Sequence, residues 1–397
     1  MSRAQGAAIP AGPAAAASSE RPPGAAFAPG EAIPPVATNA ALVALGRSIF
    51  FDKDLSEPRG TSCASCHDPA RAFSGSNGST NGFARGSRSG HFARRSSPSL
   101  LYLRYTPKFH FYQDDEATVP APFGGFFWDG RSDSIAALVR QPLLNPDEMN
   151  NRDGKSLGQK VAKATYADAF SHAFGPVFAD GDGMLNGIGR ALEAFLTSDE
   201  MAPFSSRFDA FLRHRGKLNP FEMEGMRAFK RNCTSCHLFY DTARDPALSL
   251  FTNFGFDAVA PPKNPKEPPR KSPDLGLCER RDPNTPSANA DYCINFRTPS
   301  LRNVAVRTSY MHNGSFTNLR DVVAFYATRA TDPKHWYKSG VLFDSVPAKY
   351  RGAVNTTSVP YNRRAGDAPA LSEREIDAIV AFLRSLTDQP YEAVAAQ

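Results

Sequence analysis

Three features common in other protein classes are missing from this sequence of 397 residues. It has no run of about 18 or more apolar residues, which excludes a segment typical of a membrane-spanning helix. Its net charge is +6, but no run of five or six basic residues occurs, so the pattern is that of a solvated surface and not of a nucleic-acid-binding protein. It also lacks an alternating apolar and polar pattern of any length, and we therefore predict a mainly α fold.

The first 36 residues contain few large apolar side chains and consist mostly of Ala, Pro, Gly and Ser. Such a segment buries too little apolar surface to offset the entropy lost when a chain becomes ordered. We therefore predict a disordered leader over residues 1–36 and structured sequence from about Ala37 onwards.

Cysteine is scarce, and four of the six cysteines belong to two copies of the pattern Cys-x-x-Cys-His. The copies consist of Cys63, Cys66 and His67 and of Cys233, Cys236 and His237. In this pattern the two thiols add to the two vinyl groups of one heme, and the histidine becomes the proximal ligand of the iron. We therefore predict two covalently attached c-type hemes. The alternative is zinc, which needs a fourth ligand at each copy, and none is suitably spaced nearby.

The remaining two cysteines, Cys278 and Cys293, lie in a Pro-rich region. Heme attachment takes place outside the cytoplasm, where disulfides also persist. We therefore predict a disulfide between Cys278 and Cys293, which would close a short loop. The alternative is a pair of free thiols.

A helical pattern precedes each heme motif. Apolar residues at helical spacing occur over Asn39–Phe51 before the first motif and over Asn219–Lys230 before the second. Each segment has a glycine and then an aromatic residue before its motif. This duplication predicts two heme domains, over residues 37–215 and 216–390, with a boundary near Arg213–Leu218. Further helices are predicted over Ser134–Arg140, Gly158–Phe170 and Gly187–Phe195, and after a capping box at Ser372–Glu375.

The second axial ligand of each iron decides what a two-heme protein does. A methionine or histidine makes an electron-transfer heme, whereas an open face lets peroxide or oxygen bind. Six further histidines and seven methionines are present, and spacing alone does not choose among them.

Six segments form a co-linear pattern between Asn39 and Asp388. They are LGRSIFFDKDLS, SCASCHDPARAFS, FFWDGRSDS, NPDEM, NCTSCH and FRTPSLRNVAVRTSYMHNGSFTNLRDVVAFY. In this order they resemble the bacterial di-heme cytochrome c peroxidases, the family that includes MauG. The resemblance implies two cytochrome c-like domains, a periplasmic location and a heme-dependent oxidoreductase in which peroxide reacts at the N-terminal heme.

One position places the chain nearest to a subgroup of this family. In ordinary members, a methionine fourteen residues after the histidine of the YxHxG segment binds the second heme. Here that histidine is His312 and the fourteenth residue is Tyr326, which resembles the Tyr-ligated MauG and MbnH subgroup. An anionic tyrosine oxygen lowers the reduction potential of a heme, so this heme would store an oxidising equivalent. The alternative is a core tyrosine, because Val322, Val323 and Phe325 form an apolar face around it.

Two catalytic roles also follow from the resemblance. Trp128 matches a tryptophan that lies between the hemes and relays electrons, although a buried structural tryptophan is the alternative. Glu148, twenty residues later, matches a carboxylate that moves protons of H2O2 above the first iron. Its alternative is a surface glutamate in a turn after Pro146.

The first heme site departs from the family pattern at two positions. Leu138 stands where the family often has a glutamine, and Gln141 is near but out of register. The loop histidine that occupies the first iron in ordinary members aligns with Arg88, and His91 is three residues away. We therefore expect an open first heme.

A calcium ion between the hemes is a further implication of the resemblance, with one departure. The asparagine that binds it in the family aligns with Ser96, and backbone carbonyls near Arg307 and Ser309 are the other expected donors.

Three functions compete. The favoured one is an enzyme that uses H2O2 to form a high-valent two-heme oxidant, which then oxidises a protein substrate at a tryptophan. The first alternative is a periplasmic cytochrome c peroxidase that takes electrons from a small cytochrome or cupredoxin, and Tyr326 in place of methionine argues against it. The second is a non-catalytic di-heme electron carrier, which would need a registered ligand on the first heme.

Overall fold

The chain is mainly helical in the computed structural model, which describes residues 39–112, 120–280 and 292–396. The predicted leader lies outside the described residues. The helices are α1 (Ala40–Phe51), α2 (Cys63–Cys66), α3 (Ile135–Leu144), α4 (Gly154–Val161), α5 (Ala167–Phe174), α6 (Gly181–Leu196), α7 (Arg207–Leu212), α8 (Pro220–Asn232), α9 (Leu319–Thr328), α10 (Pro333–Trp336), α11 (Glu373–Arg384) and α12 (Glu392–Ala395). The strands are β1 (His110–Tyr112), β2 (Ala121–Phe123), β3 (Phe256–Asp257) and β4 (Phe296–Arg297).

Side-chain caps start the helices that the sequence marks most clearly. The Asn39 side chain accepts a hydrogen bond from the Ala41 N–H at the start of α1. At the start of α8, Asn219 and Glu222 form a capping box, and the box predicted at Ser372–Glu375 starts α11. Each cap satisfies N–H groups that have no partner within the helix, so these starts depend on local sequence alone.

Other elements differ from the sequence prediction. The helix predicted over Gly158–Phe170 is wrong, because the chain turns between α4 and α5. There the Tyr166 hydroxyl donates to the Asp52 carboxylate at 2.6 Å, a bond across 114 residues that no local pattern reveals. The helix predicted over Gly187–Phe195 begins earlier, at Gly181, where Asp180 caps it.

The structure also contains two small antiparallel sheets that the sequence did not predict. Strand β1 pairs with β2, and β3 pairs with β4. These strands have only two or three residues each, which is too short for an alternating pattern to be recognised.

The buried apolar side chains form two clusters. One draws mainly on residues 45–204 and the other on residues 208–386. Helices α1, α3, α4 and α6 pack in the first cluster, and α8, α9 and α11 pack in the second. Among the described residues, none of the helices combines the length and the apolarity needed to cross a membrane.

The duplicated glycine and aromatic pair has a structural reason. A Cβ atom on Gly46 of α1 would lie 1.9 Å from the backbone oxygen of Ala191 in α6. A Cβ atom on Gly225 of α8 would lie equally close, 1.9 Å, to the oxygen of Ala378 in α11. Only glycine allows these close helix crossings. The aromatic residue four positions after each glycine is buried beside the crossing, which fixes the helix that leads into each heme motif.

A buried polar seam joins the parts of the chain that carry the two clusters. Asp388 accepts hydrogen bonds from the Tyr102 hydroxyl at 2.5 Å and from the Asn303 amide at 2.6 Å. Nearby, Arg302 and Asp209 form a fully buried bidentate ion pair with N···O distances of 2.9 and 3.0 Å. The bond between Tyr102 and Asp388 links the two parts of the chain, and the Arg302–Asp209 pair neutralises two charges that are buried within the second part.

Candidate active site

Two cavities contain the two heme motifs. The first has a volume of about 1110 Å³, and its wall includes Cys63, Cys66, His67, Trp128, Leu138, Gln141, Glu148 and Arg297. The wall of the second includes Cys233, Cys236, His237, Trp128, Arg297, Tyr326 and Tyr361. The structure thus places Glu148 in the first cavity, Tyr326 in the second, and Trp128 in the walls of both.

The two motif histidines are oriented by backbone carbonyls. Nδ1 of His67 lies 3.1 Å from the Phe73 oxygen and 3.0 Å from the Pro98 oxygen. Nδ1 of His237 lies 2.9 Å from the Phe251 oxygen. Burial lowers the pKa of each histidine to about 4, so each imidazole is neutral. With Nδ1–H donated to a carbonyl, Nε2 keeps its lone pair for a metal.

The residues of both cavities fit a c-type heme. The four motif cysteines are free thiols, and each cavity holds two of them beside its histidine. Arg297 lies in the walls of both cavities. Its backbone N–H donates to the Trp128 carbonyl at 2.7 Å. Burial lowers the pKa of Arg297 to about 10. A buried cation open to both cavities suits the propionate carboxylates that hemes carry.

Glu148 lies on the turn that follows α3. Its N–H donates to the Asn145 carbonyl at 3.0 Å, and its carbonyl accepts from the Ser87 N–H at 2.7 Å. Burial raises the pKa of Glu148, and the Arg131 charge opposes that rise. A carboxyl with a raised pKa exchanges protons closer to neutral pH, which general acid–base work requires.

The loop after the first motif is fixed to this same turn. Arg88 donates to the Pro146 carbonyl from Nε at 3.1 Å and from a terminal nitrogen at 2.8 Å. Nδ1 of His91 lies 2.7 Å from the Asp147 carboxylate. Neither Arg88 nor His91 is part of the described wall of the first cavity. The loop therefore supports the turn that carries Glu148, and its histidine points to a carboxylate.

Leu138 and Gln141 both line the first cavity. The Gln141 amide accepts from Arg131 Nε at 2.8 Å and donates to Ser132 Oγ at 2.8 Å. Residues three apart share one face of a helix, so Gln141 of α3 reaches the wall that Leu138 occupies. A comparison of positions along the chain does not reveal that Gln141 and Leu138 share one face of α3.

Trp128 is held from two directions. Its indole Nε1–H donates to the Ser96 carbonyl at 2.8 Å, and its ring meets the His312 ring edge-on at 6.5 Å. The His312 ring in turn stacks on Phe296, with ring centroids 3.5 Å apart. The indole is thus fixed in the wall that separates the two cavities.

Tyr326 lies near the end of α9, lines the second cavity together with Val323, and also packs against the apolar core that contains Phe325. Burial raises the pKa of Tyr326, and the Tyr361 hydroxyl opposes that rise. A buried phenol without a cation stays protonated. An iron ion in the cavity would supply the positive charge that favours the phenolate.

The residues expected to bind calcium do not fit that ion. The Ser96 hydroxyl donates to the Met311 carbonyl at 2.6 Å. Nε of Arg307 donates to the Ser309 carbonyl at 3.2 Å, and Arg307 lines the second cavity. A guanidinium on one of the expected donor carbonyls repels a divalent cation. We therefore expect no calcium ion at these residues.

Removing calcium tests this conclusion. Treatment with a calcium chelator should leave the heme absorption spectrum and the rate of reaction with H2O2 unchanged, because Arg307 already supplies positive charge at this position. Stopped-flow absorption on treated and untreated protein gives both quantities. A rate that falls after chelation and returns when CaCl2, but not MgCl2, is added would show that calcium binds.

Three further residues of the site escaped the sequence argument. They are Arg131, Arg297 and Tyr361. Arg131 and Arg297 stand in the segments that carry the family resemblance, so their charge was a visible signal. Tyr361 lies far along the chain from either motif, and no pattern in the sequence marks it.

The predicted disulfide is present. Cys278 and Cys293 are joined, with Cα atoms 4.7 Å apart, and Cys278 lines the outer part of the first cavity. The bridge closes a loop beside Arg280, which donates to both oxygens of Asp133 at 3.0 Å. The disulfide therefore constrains the chain at one side of the first cavity.

Comparison with known proteins places these features in a family. Residues 40–217 match the family model described as Di-haem cytochrome c peroxidase. The methylamine utilization protein MauG of Paracoccus denitrificans is 33% identical over 373 residues, which cover 89% of this chain and 90% of that protein. The cytochrome-c peroxidase IdrP2 of Denitromonas iodatirespirans is 28% identical over 90% of this chain and 85% of that protein. The crystal structure of the diheme peroxidase BthA from Burkholderia thailandensis is 49% identical, with a TM-score of 0.82, over 88% of this chain and 87% of that chain.

A mainly helical chain with two cavities, each built around a Cys-x-x-Cys-His motif, has the form of a di-heme c-type protein. The chain belongs to the di-heme cytochrome c peroxidase family, which includes MauG. It is accordingly a heme-dependent oxidoreductase, and the family implies two hemes. The alternative of a non-catalytic electron carrier is therefore set aside.

Proposed function

We propose that this protein is a MauG-like periplasmic enzyme that uses H2O2 to oxidise a protein substrate at a tryptophan side chain. The observation that carries the proposal is Tyr326, which lines the second cavity where an ordinary member has methionine. The cysteine thiols and the histidines of the two motifs would hold one heme in each of two domains, residues 37–215 and 216–390. The disulfide between Cys278 and Cys293 suits an oxidising compartment.

The two hemes would have different partners. His67 would bind the first iron, with Glu148 in the wall of the same cavity, and His91 pairs with Asp147 and does not line that cavity. His237 and Tyr326 would both bind the second iron. When bound, the hemes supply the redox chemistry, accepting the two oxidising equivalents of H2O2 and storing them.

Glu148 would transfer protons in the first cavity. Its carboxylate takes a proton from the near oxygen of H2O2 and returns it to the far oxygen, which leaves as water. Arg131 supports this role, since its positive charge opposes the rise that burial causes in the pKa of Glu148 and favours the carboxylate form. Gln141, held by Arg131 at 2.8 Å, adds a polar amide to the same wall.

Trp128 would pass electrons between the two cavities. It is a wall residue of both, and its hydrogen bond to Ser96 fixes the indole. An aromatic ring at this place shortens the path that an electron has to cross. The second cavity could then share an oxidising equivalent created in the first.

The second candidate is a cytochrome c peroxidase that receives electrons from a small cytochrome or cupredoxin. Relatives named as cytochrome-c peroxidases favour it. Tyr326 separates the two candidates, because an anionic ligand makes the second heme a poor acceptor of electrons from a donor of high potential.

A stoichiometric peroxide titration tests the proposal. We expect one equivalent of H2O2 to remove the EPR signals of both ferric hemes in the fully oxidised protein and to produce a near-infrared band from charge shared between them. A mock addition of water is the control. If H2O2 reacts only after one heme has been reduced, the protein is an ordinary peroxidase and the proposal is wrong.

A further inference from the structure

A second tyrosine lies beside Tyr326 in the second cavity. The Tyr361 ring lies nearly parallel to the Tyr326 ring, at 24°, with centroids 5.8 Å apart. Tyr361 is only 3% exposed, and its N–H donates to the Ser358 carbonyl at 2.6 Å, which fixes the turn that carries it. It comes from a segment far along the chain from α9, so tertiary folding alone brings the two phenols together.

A buried cation also lies over this ring. The guanidinium carbon of Arg329 lies 3.7 Å from the centroid of Tyr361, and Arg329 is 2% exposed. One terminal nitrogen donates to the Val259 carbonyl at 2.5 Å, and the other donates to the Asn355 carbonyl. Within the described residues, Arg329 forms no ion pair with a carboxylate. The charge acts on the Tyr361 ring at 3.7 Å, and it also opposes the burial-raised pKa of Asp257 in the same wall.

The pairing has a chemical consequence for Tyr326. A cation on the face of a phenol withdraws electron density from the ring and makes its O–H a stronger hydrogen-bond donor. The stacked Tyr361 side chain lowers the pKa of the Tyr326 phenol, which is the effect of a hydroxyl that donates to the phenolate form. A donor to an anionic ligand takes electron density from that ligand, and the metal is then less strongly stabilised in its oxidised form.

We propose that Tyr361, with Arg329 behind it, is a positioning residue that sets the strength of the Tyr326 ligand and thereby the reduction potential of the second heme. This inference rests on the proposed function, since it requires Tyr326 to bind the iron. It goes further by naming the residue that keeps the oxidant of the second cavity strong enough to use on a substrate.

Tyr337 is a buried phenol in the same part of the chain and serves as a structural comparison for Tyr361. Its hydroxyl donates to the Ala260 carbonyl at 2.8 Å, and Tyr337 is outside the described wall of the second cavity. Tyr361 instead lies in the wall of the second cavity, with its ring stacked on Tyr326. Phenylalanine would fill the space of Tyr361 without that donor.

The test compares Tyr361→Phe with the matched control Tyr337→Phe in the heme-loaded protein. Spectroelectrochemical titration measures the potential of each heme, and resonance Raman scattering detects an iron–phenolate bond. In Tyr361→Phe we expect the equilibrium constant for reduction of the second heme to fall by about tenfold, a shift of about 59 mV to more negative potential. The first heme and the Tyr337→Phe protein should keep their potentials.

The outcomes separate this inference from the proposed function. An iron–phenolate signal together with an unchanged potential in Tyr361→Phe overturns the role of Tyr361 alone. Absence of that signal in the unaltered protein overturns Tyr326 as a ligand, and this inference with it. If Tyr361→Phe does not retain its hemes, Tyr361→fluorotyrosine replaces it. The stronger donor should then shift the second potential to a more positive value, and no shift would contradict the inference.

Discussion

Replacing Tyr326 with phenylalanine should convert the second heme from a six-coordinate, low-spin heme to a five-coordinate, high-spin heme. The change removes one oxygen from the wall of the second cavity and keeps the ring. Tyr361 is another phenol in the described wall of the second cavity, and its ring stacks on Tyr326. EPR of the fully oxidised protein measures the result, as the low-spin signal of the second heme should disappear while the signal of the first remains.

The control for this experiment is Tyr337→Phe, which removes a buried hydroxyl that donates to a backbone carbonyl outside the cavity. Its EPR spectrum should match that of the unaltered protein. A companion variant, Tyr326→Met, should raise the potential of the second heme, because a neutral thioether stabilises the reduced iron. An unchanged low-spin signal in Tyr326→Phe would mean that another group, with Tyr361 the first candidate, binds the second iron.

Replacing Glu148 with glutamine should slow the reaction with H2O2 by about 10²- to 10⁴-fold, the usual contribution of a positioned acid–base group. Glutamine keeps the size and polarity of the side chain but neither takes up nor returns a proton. Stopped-flow absorption of the ferric protein mixed with H2O2 measures the rate. Heme content and the potential of the second heme should not change, since Glu148 lies in the wall of the first cavity only.

The pH dependence of the reaction rate with H2O2 is a second test of Glu148. Glu148 must be ionised to take the first proton, and burial raises its pKa. The rate should therefore fall as the pH falls through that raised pKa, and this decrease should be absent from Glu148→Gln. Glu193→Gln is the matched control, because burial also raises the pKa of Glu193 although it lies on α6 and outside the described wall of the first cavity. A Glu148→Gln rate equal to that of the control would contradict a proton-transfer role.

Local sequence was enough to predict the parts that depend on short spacing. The two Cys-x-x-Cys-His motifs, the helices that lead into them and the capping box at Ser372–Glu375 are all patterns within a few residues. Their physics is also local, since caps and helical faces involve neighbours in the chain. The family resemblance added Trp128, Glu148 and Tyr326, and the structure places these three in the walls of the two cavities.

Features that local sequence does not reveal depend on contacts between distant residues. The helix predicted over Gly158–Phe170 is interrupted after Val161, and Tyr166 in the interruption bonds to Asp52 through its hydroxyl. Gln141 was judged out of register, yet the helix turns it onto the same wall as Leu138. His91 pairs with Asp147 on the turn that carries Glu148, a contact between positions 56 residues apart.

The sequence by itself determined that this protein has two heme motifs, a mainly helical fold and a place among the di-heme cytochrome c peroxidases. Only the tertiary structure decided how the two sites differ in their surroundings. It placed the Arg307 guanidinium on a carbonyl expected to bind calcium, and it brought Tyr361 into contact with both Tyr326 and the charge of Arg329. The reason is physical: a motif depends on spacing along the chain, whereas the field and the hydrogen bonds around a ligand depend on which distant segments fold against it.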